Sequence, residues 1–331
     1  MILVKDIGEF NLIKRMSDIL GEPNRPIVKG IGDDCAVLYL QEGKFQLVTT
    51  DMLVEDIHFS LETASPFQIG WKSLAANISD IASMGGEPTF AFLSVGFPKN
   101  TEAEFIDDMY LGMKSIAEKY EVDIVGGDTV SSPVMVINIA LLGEAESEHC
   151  VLRSGAKVGD VVCVTGDVGG SSAGLAILQD GLSGNTEKHL MPIPRTKEGQ
   201  ILAKSGLVNA MIDISDGVAS EVNHICEQSE TGSRLYIEKL PLSKNVFPVA
   251  EEIGKAPHEF ALYGGEDYEL LFTCQNGKFD DLQSQLSQEC DTPVTIIGRI
   301  TEKSEQITME DESGAISLLK PRGYNHFAQS E

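Results

Sequence analysis

The chain has 331 residues, 42% of them hydrophobic, with 32 glycines and 51 acidic against 25 basic side chains. Its formal charge of −26 repels nucleic acid and anionic lipid, which excludes both as expected partners, and would repel a phosphorylated substrate unless cations intervened. The length is large for one core and predicts two domains, and the composition fits a soluble α/β or α+β protein.

In chain order, Phe10, Ile13, Met16 and Leu20 fall near one face of a helix over 9–20. Short strands follow around 35–40 and 45–49. A helix opens at Ser65-Pro66, serine as N-cap and proline at the first helical position, and stops at Gly85-Gly86. Residues 89–97 read as a strand. The capping-box pattern Thr101-Glu102-Ala103-Glu104 starts a helix that runs to about Tyr120, and strands at 122–125 and 134–142 close this half.

The polar, acidic stretch 143–150 is the expected linker, dividing the chain into residues 1–145 and 146–331. Beyond it the pattern predicts strands at 161–165, 211–214, 234–240 and 268–272. Helices are expected at 171–179, 196–205, from about 217, and near 279–290, with β structure again from Val294. Strands and helices mix without strict βαβ alternation, which predicts two α+β domains. No repeat or low-complexity tract occurs. The six cysteines form no CxxC pair and no zinc-like spacing with histidine, so free thiols in a reducing cytoplasm are expected. The start lacks the regions of a signal peptide, and the longest apolar stretch, 134–142, contains Asn138 and is too short to span a bilayer.

The chemistry lies in five short acidic motifs: Gly32-Asp33-Asp34, Thr49-Thr50-Asp51, Ser79-Asp80, Gly126-Gly127-Asp128-Thr129 and Asp213-Ile214-Ser215-Asp216-Gly217. Nearly all sit where a hydrophobic run breaks. Such oxygen-rich sets suit Mg²⁺, a hard cation that shares its carboxylates with substrate phosphates. No Walker motif accompanies them, so metal bridges rather than a P-loop are expected to hold phosphate. Asp80 is the sharpest signal, because burying an unpaired Asp among Leu74, Ala75, Ile78, Ile81 and Ala82 costs several kcal/mol. Asp33-Asp34 could equally form an Asp-rich turn, Gly126-Gly127 a tight turn or a close approach to phosphate, and Asp216 the N-cap of the next helix. Gly166 to Gly170 could cradle phosphate at a helix N-terminus, though turn or packing chemistry suits it better. His58 reads as a surface or hydrogen-bonded histidine rather than a catalytic one, and Arg153 as either a phosphate ligand or a partner for carboxylates.

Taken in order, the motifs resemble those of the thiamine-monophosphate kinases, in the superfamily that includes aminoimidazole ribonucleotide synthetase. The resemblance runs from Gly8-Glu9-Phe10-Asn11-Leu12-Ile13 through Gly30 to Cys35, Thr50-Asp51 with His58-Phe59, Asn77 to Gly85 and Gly126 to Thr129. It continues through Arg153-Ser154-Gly155-Ala156-Lys157, Ile212 to Gly217, Gly264 to Leu270 and Gly323-Tyr324-Asn325-His326-Phe327. It implies an α+β, two-domain fold, with an N-terminal sheet domain that dimerises and a C-terminal α/β domain. It implies phosphorylation of thiamine monophosphate by ATP with several Mg²⁺ ions. Asp34, Thr49, Thr50, Asp51, Asp80, Asp128, Asp213 and Asp216 would bind the metals. Tyr110, Gly127, Asp128, Arg153 and Ser215 would contact the nucleotide, and His58, Glu266 and Tyr324 the thiamine moiety. Asp80, Asp128 and Arg153 would carry the transfer. Cys35 stands where alanine is common and Asn325 where aspartate is common; neither removes a ligand. Another ATP-dependent enzyme of the superfamily is the alternative reading, and a non-catalytic Mg–nucleotide binder is the alternative of a different class.

Overall fold

The computed structural model describes residues 8–21, 23 and 25–320; Tyr324 and the motif around it lie outside the described residues. The first half is built on a five-stranded sheet. In chain order its elements are α1 (Glu9–Leu20), β1 (Ala36–Gln41), β2 (Lys44–Val54), α2 (Pro66–Ser83), β3 (Glu87–Phe97), α3 (Ala103–Lys119), β4 (Asp123–Ser131) and β5 (Val136–Glu146). The sheet order is β1-β2-β5-β3-β4, with β3 and β4 parallel and the other pairs antiparallel. Helices α2 and α3 cover one face, over a core that includes Leu74, Ile78, Ile81, Met113, Ile137 and Ile139. Ser65 caps α2 as expected: its side chain accepts from the Gln68 amide while Gln68 accepts from the Ser65 amide. At Glu102 no such bond forms, so the second expected capping box is absent.

Helix α1 forms over 9–20 as expected, with Ile13, Met16 and Leu20 exposed. Two further expectations of this half change on contact with tertiary packing. The stretch 143–150 is only partly a connection. Its first residues extend β5, Gly143 pairing with Leu47 and Glu144 with Gln46, because the burial alternation of β5 carries on to Glu146. Gly126-Gly127-Asp128-Thr129 is not a turn but the middle of the edge strand β4. A Cβ on Gly127 would stand 1.8 Å from the carbonyl oxygen of Leu93, so the glycine serves the close approach of two strand backbones.

The second half holds β6 (Val161–Thr165), α4 (Gly170–Asp180), α5 (Glu187–Leu190), α6 (Thr196–Lys204), β7 (Val208–Asp213), α7 (Val218–Ser229) and β8 (Gly232–Tyr236). It continues with α8 (Val246–Ile253), α9 (Pro257–Leu262), β9 (Leu270–Cys274), α10 (Phe279–Glu289), β10 (Val294–Thr301), β11 (Ile307–Glu310) and β12 (Ile316–Leu318). A seven-stranded sheet runs β12-β11-β8-β10-β6-β9-β7, with only the β8–β11 pair parallel. Strand β6 shows why its run is apolar throughout. Val162 and Val164 pack with α7, while Val161 and Cys163 pack with α6 and α10 on the opposite face. The short helices α8 and α9 are not among the expected elements, although α8 has an apolar face that packs Val246, Val249 and Ala250 with Ala173 and Ile177 of α4. Among the described residues no helix is long and apolar enough to cross a membrane.

Helix α2 joins the halves. It packs on β2, β5 and α3 on one side and on β7, α5 and α6 on the other. Fourteen of its residues, the polar Lys72, Ser73, Asn77, Ser79 and Ser83 among them, are buried.

Candidate active site

At the C-terminal half of α2, three carboxylates from three elements meet. Asp34 precedes β1, Asp80 lies on α2 and Asp213 ends β7, and one oxygen from each lies within 4.8 Å of the others. Hydroxyls surround them. Thr49 donates to Asp80 Oδ2; Ser79 donates to Asp213 Oδ2 at 2.6 Å and Ser83 to Asp34 Oδ2 at 2.7 Å. Arg153 is the cation in hydrogen-bond reach, its Nε 3.0 Å from Asp34 Oδ1 and its Nη2 donating to the same oxygen. Neighbouring Asp33 takes the other role foreseen for this pair. It accepts from the Asp34 amide at 3.2 Å and the Arg153 amide at 3.2 Å, and lies 3.3 Å from Lys29 Nζ. Asp33 thus shapes the turn, and Asp34 enters the site.

The electrostatics follow from crowding. Burial, then the charges of Asp51, Asp213 and Asp34, pushes Asp80 well above the ordinary carboxylate range. Burial and Asp34 lift Asp213 to about 7 and Asp51 to about 6. Asp216 rises to about 6 through burial and Glu9. Cys35, almost wholly buried beside them, is held firmly as a thiol by burial and by Asp80, Asp34 and Asp213, so it is no nucleophile. The donor set is entirely oxygen and carries more negative charge than Arg153 can balance. It fits hard divalent cations.

Strand β2 sorts its threonines by face. Thr49 is buried toward α2, whereas Thr50 is exposed on the other face, where its Oγ1 accepts from Asn138 at 3.1 Å. A side-chain role for Thr50 in this cluster is therefore at odds with the fold. Asp128 is exposed on β4, its Oδ1 accepting from the Thr129 amide at 2.9 Å, and is not one of the three clustered carboxylates. Tyr110, on α3, packs partly buried against the first core. Asp216 does not cap α7; Gly217 does, and the Asp216 amide instead donates to Glu221 Oε1 at 2.9 Å. Ser215 donates to the same oxygen at 3.4 Å, so buried Glu221, absent from the motif reading, fixes this segment.

A second group sits at the other half of α2. Lys72 Nζ lies 2.7 Å from Glu266 Oε2, and His189 Nδ1 lies 3.4 Å from the same oxygen. Burial alone would raise the Glu266 carboxyl, but Lys72 and His189 outweigh it and hold it below the usual value. Burial and Lys72 lower His189 to about 4. His58 Nδ1 accepts from the Val54 amide at 3.0 Å, while its carbonyl accepts from Lys72 at 3.4 Å. Gly265 lets this turn meet the Asp213–Gly217 segment: a Cβ there would stand 2.1 Å from the Ser215 carbonyl oxygen. Sequence reading missed Lys72 and His189. A lysine flanked by Trp71, Leu74 and Ala75 carried the same signal that singled out Asp80. At the Gly166–Gly170 turn the amides a phosphate would need are already used, those of Gly169 and Ser171 donating to Asp267 at 2.6 and 3.0 Å.

Comparison with known proteins defines the class first. Residues 32–145 match the AIR synthase related protein N-terminal domain and residues 157–310 the corresponding C-terminal domain. A thiamine-monophosphate kinase from Bacillus subtilis (strain 168) is 39% identical over 314 residues, covering 90% of this chain and 93% of the relative. One from Aquifex aeolicus (strain VF5) is 34% identical over 331 residues, covering 98% and 99%. The solved structure of AaThiL complexed with AMPPCP and TMP superposes with a TM-score of 0.85 at 34% identity, over 98% of this chain and 99% of that one. The chain belongs to the thiamine-monophosphate kinase family.

Proposed function

We propose that the protein transfers the γ-phosphoryl group of ATP to thiamine monophosphate by direct in-line displacement, giving thiamine diphosphate and ADP. The observation that carries this reading is the meeting of Asp34, Asp80 and Asp213 within 4.8 Å in a chain of this family. Asp34, Thr49, Asp51, Asp80, Asp213 and Asp216, with Asp128 from β4, would hold Mg²⁺ ions; Thr50 could contribute only its backbone carbonyl. When bound, those ions supply the positive charge that lets two polyanions share one site. Arg153 adds fixed positive charge and, with Tyr110, Gly127, Asp128 and Ser215, contacts the nucleotide. The acceptor is a phosphate monoester with a second pKa near ~6, so its own oxygen attacks without a dedicated base. His58 and Glu266, joined by Tyr324, surround the thiamine moiety, with the ionised Glu266 facing its cationic ring.

Residues 1–145 would form the metal- and nucleotide-binding and dimerising domain, and residues 146–331 the C-terminal one. A homodimer through the outer face of the first sheet is supported by exposed Met52, Phe90 and Phe92 on that face. Chromatography of products after mixing protein, ATP, Mg²⁺ and thiamine monophosphate tests the reading. Metal-dependent thiamine diphosphate with stoichiometric ADP, and no product from free thiamine, is the expected result. Bound nucleotide without diphosphate would leave a passive binder or another superfamily substrate.

A further inference from the structure

Lys72 is a buried cation that the proposed phosphoryl chemistry does not use. Its side chain is 4% exposed, and its ammonium meets three acceptors: Glu266 Oε2 at 2.7 Å, the His58 carbonyl at 3.4 Å and His189 Nε2 at 3.5 Å. An ammonium has three protons to donate, so this set uses the group fully. The acceptors come from three separate segments, the loop after β2, helix α5 and the turn before β9. A buried lysine lacking such partners would be strongly disfavoured, so the segments and the cation fix one another.

Glu266 is held on both sides. Its backbone adopts a left-handed φ of 64°, uncommon outside glycine, and its amide donates to the Ser215 carbonyl at 2.8 Å. Oε2 is shared by Lys72 and His189, while Oε1 has no hydrogen bond among the described residues. With Lys72 donating to Nε2, a neutral His189 carries its proton on Nδ1, facing Glu266 Oε2 and Ser171 Oγ, the latter 3.1 Å away. That arrangement keeps Glu266 ionised and leaves one oxygen for a ligand. Lys72 and Asp80 stand on the same helix a little over two turns apart, about 12 Å along its axis.

We propose that Lys72, backed by neutral His189, is the positioning residue of the acceptor subsite. It locks the Glu266 carboxylate and the His58 backbone where a cationic heteroaromatic phosphate ester docks, and takes no part in the transfer at Asp80. This rests on the reading of thiamine monophosphate as acceptor.

Steady-state kinetics of Lys72→Met, Glu266→Gln and the double variant test it, with thermal melts to establish folding. Lys72→Met is expected to raise the acceptor KM at least about tenfold, with kcat and the KM for ATP within about threefold of wild type. Because Lys72→Met leaves the half-buried Glu266 carboxylate without its charged partner and could lose its fold, the double variant, which removes both charges, serves as the second probe. If Lys72 acts through Glu266, the double variant's KM matches that of Glu266→Gln instead of multiplying the two single effects. An acceptor KM within about twofold of wild type in Lys72→Met, or multiplicative effects in the double variant, overturns the inference. So does a fall in kcat at unchanged KM. A wild-type protein that makes no thiamine diphosphate overturns the acceptor reading and this inference with it; an active wild type indifferent to Lys72 overturns only the second.

Discussion

The two halves of α2 solve opposite electrostatic problems with the same helix. Around Asp80, Asp34 and Asp213 crowd their carboxylates within 4.8 Å, and hydroxyls outnumber cations. Around Lys72, a single carboxylate is shared between an ammonium and an imidazole. Burial acts on both, yet Asp80 is pushed well up while Glu266 is drawn down. The difference teaches where the protein supplies its own counter-charge and where a cation must supply it. Like charges held close in a poorly polar surrounding favour any ion that neutralises them, whereas a carboxylate that already shares a fixed ammonium needs no metal to stay ionised.

The largest expected break in this contrast comes from Asp80→Asn. Removing one of the crowded charges should lower kcat at least about 100-fold, about 2.7 kcal/mol of transition-state stabilisation. The metal-free protein should melt no lower than wild type, because like-charge repulsion is relieved. Retention of more than about a tenth of the wild-type kcat would remove Asp80 from the reaction. Lys72→Met should do the reverse, raising the acceptor KM while sparing kcat.

The next effect sharpens the comparison through pH. Asp213 is raised to about 7 and Asp51 to about 6 in the folded protein, against 3.8 ordinarily. The stability these groups contribute is full below about pH 3.8 and lost as pH rises through their folded values. His189, lowered from 6.5 to about 4, and Glu266, also lowered, work in the other direction and lose stability as pH falls. The raised carboxylates are the more numerous, so the metal-free protein should melt progressively lower between about pH 5 and pH 8. Saturating Mg²⁺ should flatten that slope, since binding to the folded state stabilises it most where the carboxylates are ionised. Melting curves with and without chelator decide; the same slope in both would show that these carboxylates do not bind the metal.

The same contrast explains what the sequence could and could not disclose. Asp80 was legible because a charge interrupts an apolar helical face, and β6 because an unbroken apolar run is what burial on both faces requires. Lys72 obeyed the same rule as Asp80, but its partners Glu266 and His189 are remote in sequence, so nothing local announced them. The glycines at 126 and 127 misled for a physical reason. Missing a Cβ serves a turn and a close strand contact equally, and only the neighbouring Leu93 backbone shows which need was met. Thr50 and Thr49 look equivalent in a motif until strand alternation sends them to opposite faces. The exposed side of α1 shows that periodicity predicts a helix, not what covers it.

The smallest effect is also the most local. Ser65 caps α2 through a reciprocal pair of bonds with Gln68, and its loss should destabilise the helix by about 1 kcal/mol. Fraying from that end reaches Lys72, under two turns away, before it reaches Asp80, which lies more than four turns in and is tied to Thr49. Ser65→Ala should therefore lower the melting temperature slightly and raise the acceptor KM by about twofold or less, with kcat unchanged. Hydrogen exchange along α2 would locate the change: amides of the first two turns should exchange faster and those near Asp80 should not. Equal acceleration along the whole helix would mean that its two halves are not energetically separable, and the division drawn between them would fall.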